Sequence, residues 1–134
     1  MLPEGTNLRL LFEGCQCPDS FLFECESTRA TIESAILAVG FQPLRHTGHD
    51  FEDGGYTSAF ILAESHVIVH TWPEHDRTVI IEASVCDFRR PNRERTLDLG
   101  KRITAIYQPT KIIREVLPMA PRDWECEHLR DCAF

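Results

Sequence analysis

Residues 64 to 74 read Glu64-Ser65-His66-Val67-Ile68-Val69-His70-Thr71-Trp72-Pro73-Glu74. From His66 to Thr71 the side chains alternate as in a strand with one buried face: Val67 and Val69 face one layer, while His66, Ile68 and His70 share the other. Pro73 to Asp76 turns the chain, and Thr78 to Cys86 returns as a second apolar strand. Antiparallel pairing across that turn keeps the sum of partner numbers at roughly 150, which sets Cys86 opposite residues 63 to 65. A thiol therefore lies beside the Glu64–Ser65 peptide bond.

The segments on either side extend this hairpin. Phe41 to Ala63 reads as a polar strand to about Phe51, the turn Glu52-Asp53-Gly54-Gly55, and the apolar strand Tyr56 to Ala63. Upstream, Leu8 to Phe12 is a short apolar strand ended by Gly14 and the Cys17-Pro18-Asp19 turn. A helix follows, with Ser27 as N-cap, Ala30, Ile32, Ala35, Ile36, Leu37 and Val39 on its apolar side, and Gly40 as its stop. Downstream, Asn92 to Tyr107 predicts a second helix, with Leu97, Leu99, Ile103, Ile106 and Tyr107 inward, and Lys111 to Leu117 a closing strand. Clustered strands with one helix on either side predict an α+β fold, a two-layer sandwich of helices packed on one face of an antiparallel sheet.

The chain has 134 residues, and the size prior makes residues 1–134 one domain. A net charge of −7 disfavours a nucleic-acid partner, since phosphate binding needs clustered Lys and Arg. The cluster Arg89, Arg90, Arg93 and Arg95 reads as the solvated face of a loop and helix start. No apolar run approaches the roughly 20 residues of a membrane span, and the first residues lack the plan of a signal peptide, so a cytoplasmic protein with no membrane partner is expected. The six cysteines then read as thiols. Cys126, His128 and Cys132 do not match a paired zinc-knuckle spacing.

The chemistry concentrates where the hairpin places it. A Glu-Ser bond at a strand edge, with two histidines near, offers a hydroxyl nucleophile and candidate general acid/base groups. His66 and His70 share a strand face, but a catalytic zinc usually has three protein ligands, so no metal is expected. Phe51 and Trp72 offer aromatic faces suited to a flat base or a sulfonium cation, with core packing as the competing reading. Glu74 is a turn carboxylate that either holds a substrate amine or ribose or is simply solvated.

The string Glu-Ser-His, three residues, His-Thr-Trp-Pro-Glu resembles the self-processing site of the prokaryotic, pyruvoyl-dependent S-adenosylmethionine decarboxylases, and all eight fixed positions are present. His49, Phe51 and Gly55 fall at the family's His-x-Phe pair and hairpin glycine, and Glu82 at an acidic position in the strand leading to the family's catalytic cysteine. The likeness spans roughly residues 5 to 116 and is strongest from 49 to 86. It implies cleavage between Glu64 and Ser65, with the Ser65 hydroxyl converting amide to ester and elimination leaving a pyruvoyl group as the cofactor. His70 resembles the processing histidine, Thr57 stands where a serine assists processing, and Cys86 resembles the proton donor of the decarboxylation. Phe51, Trp72 and Glu74 would bind substrate, whose amine would form a Schiff base with the pyruvoyl. The implied function is decarboxylation of S-adenosylmethionine for spermidine biosynthesis by a homodimer of cleaved protomers whose active sites draw on both chains.

Several positions depart from the family. Besides Thr57 there is Ser58 for a glycine, Asn7 and Leu11 stand where histidine and an acidic residue are frequent, and the Ser65–Cys86 spacing is one residue longer, the extra residue being placed in the turn around His75. These changes keep open a pyruvoyl-dependent decarboxylase of ornithine or arginine, or an uncleaved, non-catalytic homologue.

Overall fold

Among the described residues six strands form a single sheet in which every neighbouring pair is antiparallel, and the helices lie against one side of it. The computed structural model describes residues 4–120. In chain order the elements are β1 (Gly5–Glu13), α1 (Ser20–Phe23), α2 (Cys25–Ala38), β2 (Pro43–Asp50), β3 (Tyr56–Leu62), β4 (Ser65–Trp72), β5 (Thr78–Cys86), α3 (Arg93–Tyr107) and β6 (Lys111–Pro118). The sheet order is β2-β3-β4-β5-β1-β6, so the three consecutive hairpin links from β2 to β5 stay adjacent while β1 enters beside β5. This is the expected α+β arrangement, with one more short helix than the sequence suggests. Among the described residues no helix is long and apolar enough to cross a membrane. Trp124, Cys126, His128 and Cys132 lie outside the described residues.

The alternation of each strand decides which face is covered. Leu8, Leu10 and Phe12 of β1, Phe60 and Leu62 of β3, Val67 and Val69 of β4, and Val79, Ile81 and Val85 of β5 all turn to the helices and are buried. Helix α2 covers β2 and β3, and α3 covers β1 and β5. Among the described residues no helix covers the opposite face. It presents Thr57, Ile61, His66 and His70 toward one edge and Glu82, Arg9 and Ile113 toward the other.

Helix α2 corrects two expectations. It starts at Cys25, and Ser27 is not its N-cap: the Ser27 hydroxyl donates to the Ser20 and Glu24 carbonyl oxygens instead. The free N–H of Cys25 is capped from across the fold by the Asp50 carboxylate at 2.9 Å, a partner 25 residues away that no local pattern announces. The inward face is Cys25, Thr28, Ile32, Ala35 and Ile36, whereas Ala30 and Leu37 are exposed. Gly40 ends the helix as expected: at φ +89° it lets its own N–H reach Leu37 O and the Phe41 N–H reach Ile36 O, satisfying two terminal carbonyls.

A buried set of hydroxyls ties both helices to β3. Tyr56 Oη lies 2.7 Å from Tyr107 Oη of α3 and 2.9 Å from Thr28 Oγ1 of α2, and donates to the Phe21 carbonyl. Burial pushes the Tyr56 phenol up to about 12 and raises that of Tyr107, so both stay neutral and available as donors. Thr71 performs the same service for β4: its hydroxyl accepts from the Tyr56 N–H and donates to the Leu22 carbonyl. The Thr71 backbone then closes on Gly55, whose φ is +85° and where an added Cβ would collide with the Thr71 carbonyl oxygen. Gly55→Ala should therefore lower stability by about 3 kcal/mol, a sum of left-handed strain and overpacking, read as a shifted urea midpoint with unchanged slope.

Candidate active site

The β3–β4 hairpin is unusually tight for its residue types. Leu62 pairs with Ser65, which leaves Ala63 and Glu64 as the whole turn. Two-residue hairpins favour turns with positive φ at one or both central residues, a demand met by Gly, Asn or Asp. Neither Ala63 nor Glu64 takes positive φ; the irregularity falls on Ser65, at φ +136°. A non-glycine residue held there stores on the order of 1–3 kcal/mol. The backbone at the Glu64–Ser65 bond is thus strained by the hairpin that carries it.

The bond is also held from the neighbouring strand. Ser65 pairs with Val85, so Cys86 falls opposite Glu64, where strand counting puts it, and the Cys86 N–H donates to the Glu64 carbonyl oxygen at 2.8 Å. The Glu64 carboxylate accepts from the Gln42 N–H at 2.9 Å, and the Asn92 side-chain amide donates to the Cys86 carbonyl at 2.9 Å. A cavity of about 500 Å³ opens against these groups, lined by Ala63, Glu64, Cys86, Phe88 and Asn92 with Arg89 and Arg90. The hydroxyl of Ser65 lies 3.4 Å from His66 Nδ1.

The remaining sequence-predicted residues gather elsewhere. Thr57 pairs with His70, and Thr57 Oγ1 lies 3.0 Å from His70 Nδ1. The Trp72 ring sits 5.7 Å from that of His70, and Phe51 is packed edge-on by His49 at 5.0 Å. Phe51, Thr57, His70, Trp72 and Glu74 line a second cavity of about 320 Å³. Phe51 is 50% and Trp72 36% exposed, so core packing does not account for either ring. Five residue steps of extended strand lead from Ser65 to His70, which is ~16 Å at the usual rise. Within one chain the predicted residues therefore form two groups, Glu64, Ser65 and Cys86 in one, Thr57, His70, Phe51, Trp72 and Glu74 in the other.

Three features escaped sequence reading. Arg89 and Arg90 are part of a cavity wall rather than only a solvated face, and Arg90 donates to the Gly40 carbonyl at 2.7 Å, a contact between distant loops. Asn92 begins α3 as expected, but its side chain also positions Cys86. Ser58, standing where a glycine is usual, is buried with its hydroxyl 2.8 Å from His46 Nε2, so the extra polar group is satisfied. Among the described residues no group of three or more His, Cys, Asp or Glu gathers to hold a metal. Cys15, Cys17, Cys25 and Cys86 are free thiols; burial raises the first three, Cys15 to about 12, and leaves them unreactive.

Comparison with known proteins gives the family of the chain. A model of the S-adenosylmethionine decarboxylase family matches residues 8–97. The chain is 31% identical over 91 residues to the S-adenosylmethionine decarboxylase proenzyme of Persephonella marina, covering 68% of this chain and 65% of that one. It is 28% identical over 110 residues to the proenzyme of the same name from a Sulfurihydrogenibium species, covering 78% and 79%. The aligned stretch thus spans about two thirds to four fifths of these relatives. In structure it resembles the adenosylmethionine decarboxylase from Aquifex aeolicus, with a TM-score of 0.77, 20% identity, and coverage of 93% of this chain and 98% of that one, a likeness of fold.

The strain at residue 65 is measurable without any reaction. Ser65→Gly should be more stable than Ser65→Ala by about 1 kcal/mol, since glycine relieves the backbone but loses more entropy on folding. A Ser65→Gly midpoint below that of Ser65→Ala would show that residue 65 is unstrained.

Proposed function

The chain belongs to the S-adenosylmethionine decarboxylase family, and from that membership we propose that it cuts itself between Glu64 and Ser65 and that the processed protein decarboxylates S-adenosylmethionine. The observation that carries this reading is the hydrogen bond from the Cys86 N–H to the carbonyl oxygen of the strained Glu64–Ser65 bond. Attack of Ser65 Oγ on the Glu64 carbonyl carbon places negative charge on that oxygen. A donor already in place strengthens as the charge develops and needs no reorganisation. Transfer of the acyl group from nitrogen to oxygen also breaks the peptide link that imposes the unfavourable φ on residue 65, so the strain favours the step. Elimination then removes the Cα proton of residue 65 and releases Glu64 as a carboxylate, giving chains 1–64 and 65–134. The dehydroalanine left at residue 65 tautomerises to an imine, and water adds to its carbon and expels ammonia, its oxygen becoming the ketone of the pyruvoyl group.

The site suits such a group: Glu64, bonded to residue 65, lines a cavity together with the half-buried Cys86. Its ketone would supply the electron sink that no native side chain offers. Cys86 Sγ, on the same cavity wall, would return a proton to the substrate carbon after carbon dioxide leaves. Phe51 and Trp72 would sandwich or stack the adenine, and Glu74 would hold a polar group of the substrate.

The separation of the two groups of residues supports a homodimer. With His70 and Thr57 ~16 Å from Ser65 along one strand, they would serve the cleavage site of a second copy rather than their own. The face of the sheet without helices is the surface for such pairing; it carries Ile61 and Ile113, each about half exposed, and Leu117, 48% exposed. The product would feed spermidine synthesis in the cytoplasm, a reducing setting in which the free thiols are at home.

The denatured intact mass of the purified protein tests the reading. Two fragments, with the 65–134 piece lacking a normal serine amine, are expected for the wild type and a single chain for Ser65→Ala. A wild type that stays whole on prolonged incubation would identify a non-catalytic homologue. Cys86→Ala should still cleave, because its contribution to that step is a backbone N–H, yet decarboxylate S-adenosylmethionine at least about 100-fold more slowly; full activity would remove the thiol from the reaction.

A further inference from the structure

We propose that His66, and not His70 of the same chain, is the base for the first step of self-cleavage, the conversion of the Glu64–Ser65 amide to an ester. The inference rests on the reading that the chain processes itself at Ser65, and adds to it a catalytic residue for that step.

Adjacent residues of a regular strand point to opposite faces and their side chains do not meet. Ser65 and His66 are neighbours, yet Ser65 Oγ and His66 Nδ1 lie 3.4 Å apart. The contact exists because β4 begins with Ser65 at φ +136°, which turns that side chain out of the alternation. The strain that loads the peptide bond and the contact that supplies a base therefore have one origin. His66 itself is regular: it pairs with Ile61 of β3 and Ser84 of β5, so its ring is carried by the sheet rather than by a loop.

His70 is differently engaged. Its Nδ1 is with Thr57 Oγ1, five residues along the strand. The other groups around the scissile bond are also committed: the Glu64 carboxylate to the Gln42 N–H, the Cys86 N–H to the Glu64 carbonyl, and Asn92 to the Cys86 carbonyl. His66 in the tautomer protonated on Nε2 accepts the hydroxyl proton at Nδ1. As Ser65 Oγ bonds to the Glu64 carbonyl carbon, the carbon–nitrogen bond breaks. The proton on Nδ1 passes to the departing nitrogen of residue 65. Nothing is gained or lost: the product is the isomeric ester with a free amine, and His66 returns to neutrality.

Hydroxylamine provides the test, because it cleaves an ester between residues 64 and 65 and leaves the amide alone. Freshly purified wild type, Ser65→Ala, His66→Ala and the near-isosteric His66→Gln are denatured at intervals, with and without prior hydroxylamine, and weighed by mass spectrometry. Wild type is expected to cleave spontaneously, and both His66 variants to cleave about 100-fold more slowly while their uncleaved chains resist hydroxylamine as Ser65→Ala does. Added imidazole should speed cleavage of His66→Ala, a rescue that a merely structural role would not give. Cleavage of folded His66→Gln at the wild-type rate, or accumulation of a hydroxylamine-sensitive chain in either variant, would overturn the assignment while leaving the self-processing reading intact. A wild type that never cleaves and never becomes hydroxylamine-sensitive would overturn both.

Discussion

The bond from the Cys86 N–H to the Glu64 carbonyl terminates the β4–β5 ladder, and the site depends on that ladder's register. Because strand side chains repeat every two residues, a one-residue slip would exchange the valines of β4 with its histidines between core and open face. The slip is opposed by burial: Val67, Val69, Val79, Ile81 and Val85 are excluded from solvent, and each is worth roughly 1.5–3 kcal/mol in that position. Hydrophobic packing on one side of the sheet thus sets the placement of a single donor on the Glu64 carbonyl. The Asn92 amide on the Cys86 carbonyl is a second hold on the same residue.

Strain is the second element, and it too originates in the sheet. The register of β3 on β4 permits only Ala63 and Glu64 as turn residues, neither suited to positive φ, and the demand passes to Ser65. The hairpin cannot relax by lengthening while Leu62 and Val67 are buried and the Ala63 N–H is bonded to the Gln42 carbonyl. Far from the bond, the Thr28–Tyr56–Tyr107 hydroxyls and Thr71 secure the same hairpin to the helices. A rigid scaffold thus holds one residue in an unfavourable conformation beside the Glu64–Ser65 bond.

The two groups of residues along β4 show how much of this was legible in the chain. Ser65, His66, His70 and Trp72 stand out in the sequence, and counting across the Pro73–Asp76 turn places Cys86 correctly, because both depend only on strand period and turn position. The cap of α2 was misread at Ser27, since the group that fills it, Asp50, comes from a strand on the far side of a loop. Arg90 and Asn92 look like solvated or capping residues until Gly40 and Cys86 are brought beside them. In the same way, Ser58 is a conspicuous departure in sequence and an ordinary buried hydroxyl once His46 is next to it.

Sequence by itself determined the order and period of the elements, the α+β class, the resemblance to a self-cleaving decarboxylase and the residue types on each face of β4, since all of these are properties of neighbours along the chain. The tertiary structure decided which of those residues meet. It parted Ser65 from His70 by four residues of straight strand and put His66 against Ser65, through a backbone angle imposed by pairing with β3. A dihedral forced by long-range pairing leaves no mark on the identity of the residue that bears it, and so it becomes visible only when the sheet is assembled.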